Sequence, residues 1–151
     1  MISQVCIDAS LALKLVLAET DSDRVQAQWQ RWIEEGTELV APTLFVFESI
    51  SAIRLNETRK LITAEAADLA FREFLEQIQE VHLMLPNDLH SRAWELAKRL
   101  KQSQVYDAYY LALAESLDCE FWTADDRLYG IAHRAFSWVK HTRQIQFGKS
   151  S

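Results

Sequence analysis

The sequence predicts an α/β fold, a mostly parallel sheet covered by helices on both faces. Three observations lead there. Short β-branched apolar runs alternate with longer runs of helical period, the pattern of successive βαβ units. Apolar residues make up 49% and charged residues 25%, an ordinary globular balance with a core to bury. Glycine (3) and proline (2) are scarce in 151 residues, so linkers have little room and one domain over residues 1–151 is expected.

Residues 2–7 (ISQVCI) are short and β-branched at Ile2, Val5 and Ile7, which predicts the first strand. Asp8 ends it, and either Asp8 or Ser10 caps a helix over 10–17. Thr20, Asp21 and Ser22 announce a second helix, about 23–34, with Val25, Trp29, Trp32 and Ile33 as its apolar stripe. Gly36 stops that helix. Residues 38–41 read as a strand closed by Pro42, and Thr43 as the cap of a helix over 44–55. Its apolar positions are Leu44, Phe45, Phe47, Ala52 and Leu55. Thr63 starts a helix to about Ile78, whose stripe is Ala67, Ala70, Phe71, Phe74, Leu75 and Ile78. Residues 81–85 form a strand ended by Pro86. Asn87 or Asp88 then caps a helix to about Lys101 that buries Leu89, Ala93, Leu96, Ala97 and Leu100. A further helix follows over 104–115, then a strand at 120–123, a short helix opened by Asp125, and a last strand at 137–139.

The net charge of −6 argues by itself against a nucleic-acid binder, but it is unevenly spread. Residues 1–126 hold 11 Lys/Arg against 22 Asp/Glu, whereas Arg127, Arg134, Lys140, Arg143 and Lys149 stand in a stretch with no acid. Lys98, Arg99 and Lys101 form a second basic cluster. Read alone, these are a solvated helix end and a basic tail; beside an acidic site they would hold substrate phosphates. Cys6 and Cys119 both border strands and read as free thiols of a reducing compartment. The N-terminus has no basic region, and Lys14 interrupts the apolar segment 11–17. A cytoplasmic protein with no membrane partner is therefore expected.

The chemistry is carried by acids. Asp107 lies in the first turn of the 104–115 helix, and Tyr110, Leu111 and Ala114 share its side. Glu48 lies between Leu44 and Ala52 at helical spacing, so it is predicted to point inward. Asp8 and Asp125 follow two strands, at the rim where parallel sheets gather ligands. Each has a plainer reading. Asp8, Asp107 and Asp125 are ordinary helix-start residues, as Ser10 and Thr123 are ordinary cap or turn residues. Glu48 has no cap role in mid-helix, and its alternative is a buried salt bridge, for instance to Arg54 or Arg127. Clustering changes the balance. Two carboxylates about 4 Å apart repel by about 4 kcal/mol at an effective dielectric of about 20. Four sharing a site take up protons or a cation, and oxygen donors of this hardness suit Mg²⁺ or Mn²⁺. The four histidines show no zinc spacing. No Walker, G-x-S-x-G or G-x-G-x-x-G pattern is present, which disfavours an NTPase, a hydrolase triad and a dinucleotide enzyme.

The segments C-I-D-A-S-L-A-L-K around Asp8, F-E-S-I-S-A around Glu48, V-Y-D-A-Y-Y-L-A-L-A-E around Asp107 and W-T-A-D-D-R-L around Asp125 resemble the PIN-domain family, within it the VapC-type toxin endoribonucleases. The family often carries asparagine where Ser51 stands. The resemblance spans nearly the whole chain, to Trp138 and Val139. It implies a three-layer α/β/α sandwich with Asp8, Glu48, Asp107 and Asp125 as the catalytic and metal-binding acids, supported by Ser10 and Thr123. It further implies Mg²⁺- or Mn²⁺-dependent cleavage of RNA, a homodimer, and inhibition by a cognate antitoxin of a type II toxin–antitoxin pair. Leu61, Ile62, Phe71 and Phe74 would line a groove for that partner or a second subunit; core packing is the alternative. Asp126 reads as a first-turn residue favoured by the helix dipole. Two rival functions stand beside this one. The first is a catalytically silent PIN-fold module that binds RNA or protein. The second is a phosphomonoester hydrolase, which would pair two aspartates as D-x-D where this chain has Asp8 and Ser10.

Overall fold

Apolar, β-branched residues fill five short strands, and the helical runs between them carry the chain back across the sheet. In the computed structural model, which describes residues 2–146, the order is β1 (Gln4–Ile7), α1 (Ala9–Leu13), α2 (Ser22–Glu34), β2 (Glu38–Pro42), α3 (Leu44–Thr58), α4 (Ala64–Gln77), β3 (Val81–Met84), α5 (Leu89–Arg99), α6 (Tyr106–Leu117), β4 (Glu120–Thr123), α7 (Asp126–Ala132) and β5 (Val139–His141). Lys149 of the basic C-terminal stretch lies outside the described residues.

The strands lie in the order β3-β2-β1-β4-β5, and all four pairings are parallel. Cys6 pairs with Val40 on one side and Phe121 on the other. The helices flank this sheet, giving the α/β/α sandwich. Chain progression reverses direction between β1 and β4, so the carboxyl ends of those neighbours form the crevice where open α/β sheets bind ligands. The central strands read as unbroken apolar runs because both of their faces are covered.

Helix α6 is apolar nearly all round, with Ala108, Tyr110, Leu111, Ala112, Leu113 and Ala114 buried. That composition suits a helix sandwiched between α5 and the strands β1, β2 and β4. Its alanines allow close approach, which brings the start of α6 beside the sheet rim. Helix α2 is amphipathic instead, burying Val25, Gln28, Trp29 and Trp32, and Gly36 ends that segment at a φ of 75° that glycine adopts without strain.

Several local expectations are corrected. Asp8, not Ser10, caps α1, which closes at Leu13 because residues 14–17 continue as turns. Thr43 has helical backbone and makes no capping bond, while Asp88 spends its carboxylate on Arg92 at 2.8 Å. Helix α3 buries Phe45, Ser49 and Ile53 and leaves Phe47 72% exposed, with Leu55 exposed as well. Its sequence is apolar on several sides, so period alone does not select a face. Phe71 and Leu75 of α4 are likewise exposed, and Phe74 is core rather than groove. The last strand begins at Val139, two residues later than expected. Cys6 is buried, Cys119 half-buried, and both are free thiols. Among the described residues no helix is long and apolar enough to cross a membrane.

Candidate active site

Strand β1 ends by delivering Asp8 into the crevice beside β4. Asp8 is only 5% exposed. Its Oδ1 accepts the Leu11 N–H at 3.0 Å and the Ser10 hydroxyl at 2.7 Å, and its Oδ2 accepts the Thr123 hydroxyl at 2.5 Å. Thr123 closes β4, and its oxygen in turn accepts the Asp125 N–H at 3.0 Å. Ser10 mirrors it by accepting the Ala124 N–H at 3.0 Å. Each hydroxyl has one proton, and both are spent on Asp8. The 3.2 Å contact between the two hydroxyl oxygens therefore has no proton left while Asp8 is ionised.

Burial pushes the Asp8 carboxyl up to about 7, against the pull of the bonds from Thr123, Ser10 and Leu11, and the Asp125 charge raises it further. Among the described residues no basic side chain pairs with it. An unpaired buried acid of this kind is costly when ionised, and Oδ2 still has a lone pair to offer.

Asp125 caps α7, accepting the Leu128 N–H at 3.0 Å. Across the crevice, Glu48 of α3 is half-buried and accepts the Tyr110 hydroxyl at 2.5 Å. Burial raises the Glu48 carboxyl, the Tyr110 bond opposes that, and the Asp107 charge adds to it. Tyr110 is itself fully buried, and burial together with the Glu48 charge pushes its hydroxyl far above the usual tyrosine range. It is thus a fixed proton donor. Asp107, in the first turn of α6, is held by Arg127 of α7 with N–O 2.7 Å.

The acids accordingly form two electrostatically coupled pairs, Asp8 with Asp125 and Glu48 with Asp107, and Tyr110 feels both Glu48 and Asp8. The salt bridge considered for Glu48 does not form: Arg54 pairs with Glu57 and Arg127 with Asp107. Asp126 points elsewhere, to Arg143 at 2.5 Å, which lowers its pKa. The His141 Nε2 also lies 2.8 Å from Asp126. The sequence placed Tyr110 only on the side of Asp107 and Arg127 only as a counter-ion for Glu48, so the Tyr110 bond to Glu48 and the Arg127 pairing with Asp107 went unread. Tyr110 sits on the core face of its helix, and nothing near Arg127 in the chain marks its partner.

The donor set suits a hard divalent cation, because all four candidates are carboxylates. A guanidinium already stands as a cation on Asp107, and Asp8 lacks one. Among the described residues, no three acids, histidines or cysteines are gathered closely enough to hold a metal ion. The donor chemistry fits such an ion; the side chains as they stand do not enclose it.

Comparison with known proteins places these residues in context. The PIN domain family model matches residues 5–134, a span that contains Asp8, Glu48, Asp107 and Asp125. Among solved structures, PAE2754 from Pyrobaculum aerophilum is similar with a TM-score of 0.68 at 19% identity, covering 95% of this chain and 92% of that one. VapC20 of Mycobacterium tuberculosis, a Sarcin-Ricin loop cleaving toxin, has a TM-score of 0.61 at 16% identity, covering 85% of this chain and 95% of that one. At these identities the two structures share the fold. No curated protein matches the chain by sequence.

Proposed function

Since the chain belongs to the PIN domain family, we propose that it is a divalent-metal-dependent endoribonuclease, active as one domain over residues 1–151 in the cytoplasm. The observation that carries this reading is Asp8, a buried acid at the sheet's ligand crevice with three donors fixing it and no positive partner. Asp8, Glu48, Asp107 and Asp125 would hold Mg²⁺ or Mn²⁺. Such an ion, when bound, neutralises phosphodiester charge and lowers the pKa of water. Ser10 and Thr123 orient Asp8, and the Tyr110 hydroxyl orients Glu48. Asp125 is fixed by its own capping bond, so it stays at the rim.

The biological role proposed is the toxin of a type II toxin–antitoxin pair, with an RNA substrate, a cognate antitoxin and a homodimer. The exposed apolar side chains Phe47 and Leu55 of α3, Leu61, and Phe71 and Leu75 of α4 support a protein partner. A second reading, the silent binding module, is favoured by Asp107 being taken up by Arg127 and by the lack of a gathered acid trio among the described residues.

Mapping RNA fragment ends with Mg²⁺, with EDTA, and with Asp8→Asn or Asp107→Asn separates the two. The nuclease reading expects EDTA-sensitive ends and a loss of at least about 100-fold in either variant. Wild-type-like cleavage in either variant refutes the residue assignment, and no metal-dependent product from any RNA supports the silent module. Turnover of a chromogenic phosphomonoester without RNA cleavage would point to the phosphohydrolase instead.

A further inference from the structure

Arg127 lies two residues after the cap Asp125, and its guanidinium reaches across to Asp107. The Nη2 donates to Asp107 Oδ2 at 2.7 Å, and Nη1 leans on the Gln102 side-chain oxygen at 3.4 Å. Gln102 is itself tied to the Leu100 carbonyl at 3.0 Å, so the loop before α6 helps to aim the arginine. The two partners differ in exposure. The Arg127 side chain is 61% exposed and that of Asp107 30%. Arg127 can swing into water at little cost, whereas Asp107 is set in the first turn of a buried helix. A positive group thus rests on one acid of the set, while Asp8 has none.

We infer that Arg127 is a resident counter-ion of Asp107 that an incoming divalent cation must displace, and that it weakens the affinity of the site for that cation. The inference rests on the metal-binding reading above. Two effects act in one direction. Asp107 must give up the ion pair on Oδ2 before both of its oxygens can serve as ligands, and a cation beside a remaining guanidinium is repelled. The opposite role is that of an outer partner which orients a ligand; loss of such a partner weakens metal binding by about 10- to 100-fold. The sign of one measurement therefore decides between them.

The experiment is calorimetric titration of Mn²⁺ into the wild-type protein, Arg127→Gln and Arg134→Gln at low ionic strength, where exposed charges are least screened. Arg134 is an exposed arginine just beyond α7 and controls for net charge. Melting in EDTA checks folding, and Arg127→Met, which keeps the apolar stem, is a second variant if glutamine is not tolerated. The expected result is Mn²⁺ binding about two- to fivefold tighter in the Arg127 variants, the range set by an exposed ion pair, with Arg134→Gln unchanged. Equal or weaker binding in both Arg127 variants, or an equal gain in Arg134→Gln, overturns the inference and leaves the metal site standing. No binding of Mn²⁺ by any of the proteins overturns the metal reading and this inference together.

Discussion

Asp8→Asn should make the metal-free protein more stable at high pH. Burial lifts the Asp8 carboxyl from 3.8 to about 7, so the folded chain holds a proton that the unfolded chain has already released. For an acid whose folded pKa is raised, the contribution to stability is full below the unfolded pKa. It declines as pH rises from there, and levels off above the folded pKa. At about 1.4 kcal/mol per pH decade, the gap from 3.8 to about 7 is worth about 4 kcal/mol. Asparagine carries no charge and caps a helix as well as aspartate. Its amide fits the bonds already present. The oxygen takes the Leu11 N–H and Ser10 hydroxyl, and the NH₂ donates to Thr123. The Thr123 proton is then free to turn to Ser10 across the 3.2 Å contact. Urea unfolding in EDTA, followed by tryptophan fluorescence at pH 4 and pH 8, measures the difference between variant and wild type. That difference should grow by about 4 kcal/mol in favour of the variant, about 8 to 16 °C in melting temperature for a chain of this size. A difference that stays constant between the two pH values, or that grows in favour of the wild type, refutes the reasoning.

Two more outcomes follow from the same geometry. Tyr110→Phe removes the donor to Glu48 and should cost about 1–2 kcal/mol at pH 8 by urea unfolding, a figure reduced for the half-buried position of the carboxylate. Added Mg²⁺ at about 100 times its dissociation constant should raise wild-type stability by about 2.7 kcal/mol in a calorimetric melt, and should leave Asp8→Asn unmoved.

The alternation of strands and helices was legible because tertiary contacts reinforce it everywhere: parallel strands are apolar on both faces, and most helix starts carry an oxygen side chain. Legibility failed where local chemistry is ambiguous. Helix α3 presents Leu44, Phe45, Val46, Phe47, Ile50, Ala52, Ile53 and Leu55, so apolar residues lie on several sides and their period does not choose the buried one. Asp88 has an arginine four residues on, and that ion pair outcompetes capping. At the candidate site, the sequence placed Asp8 and Asp125 at one rim through the strands they follow. It held no sign of the Tyr110 bond to Glu48, which joins residues 62 apart, or of Arg127 choosing Asp107 over Glu48. Those pairings depend on how α3, α6 and α7 pack, and no spacing along the chain encodes that.

The bond from Thr123 to Asp8 joins residues 115 positions apart, across the neighbouring strands β1 and β4. At a ribosomal pace of about 5–20 residues per second, β1 waits roughly 6 to 23 s before β4 is made. Throughout that interval Asp8 has the Ser10 hydroxyl beside it but lacks the Thr123 hydroxyl and the Asp125 charge. The Asp8 site is therefore completed late in translation, because chains that end before Thr123 lack both that hydroxyl and Asp125.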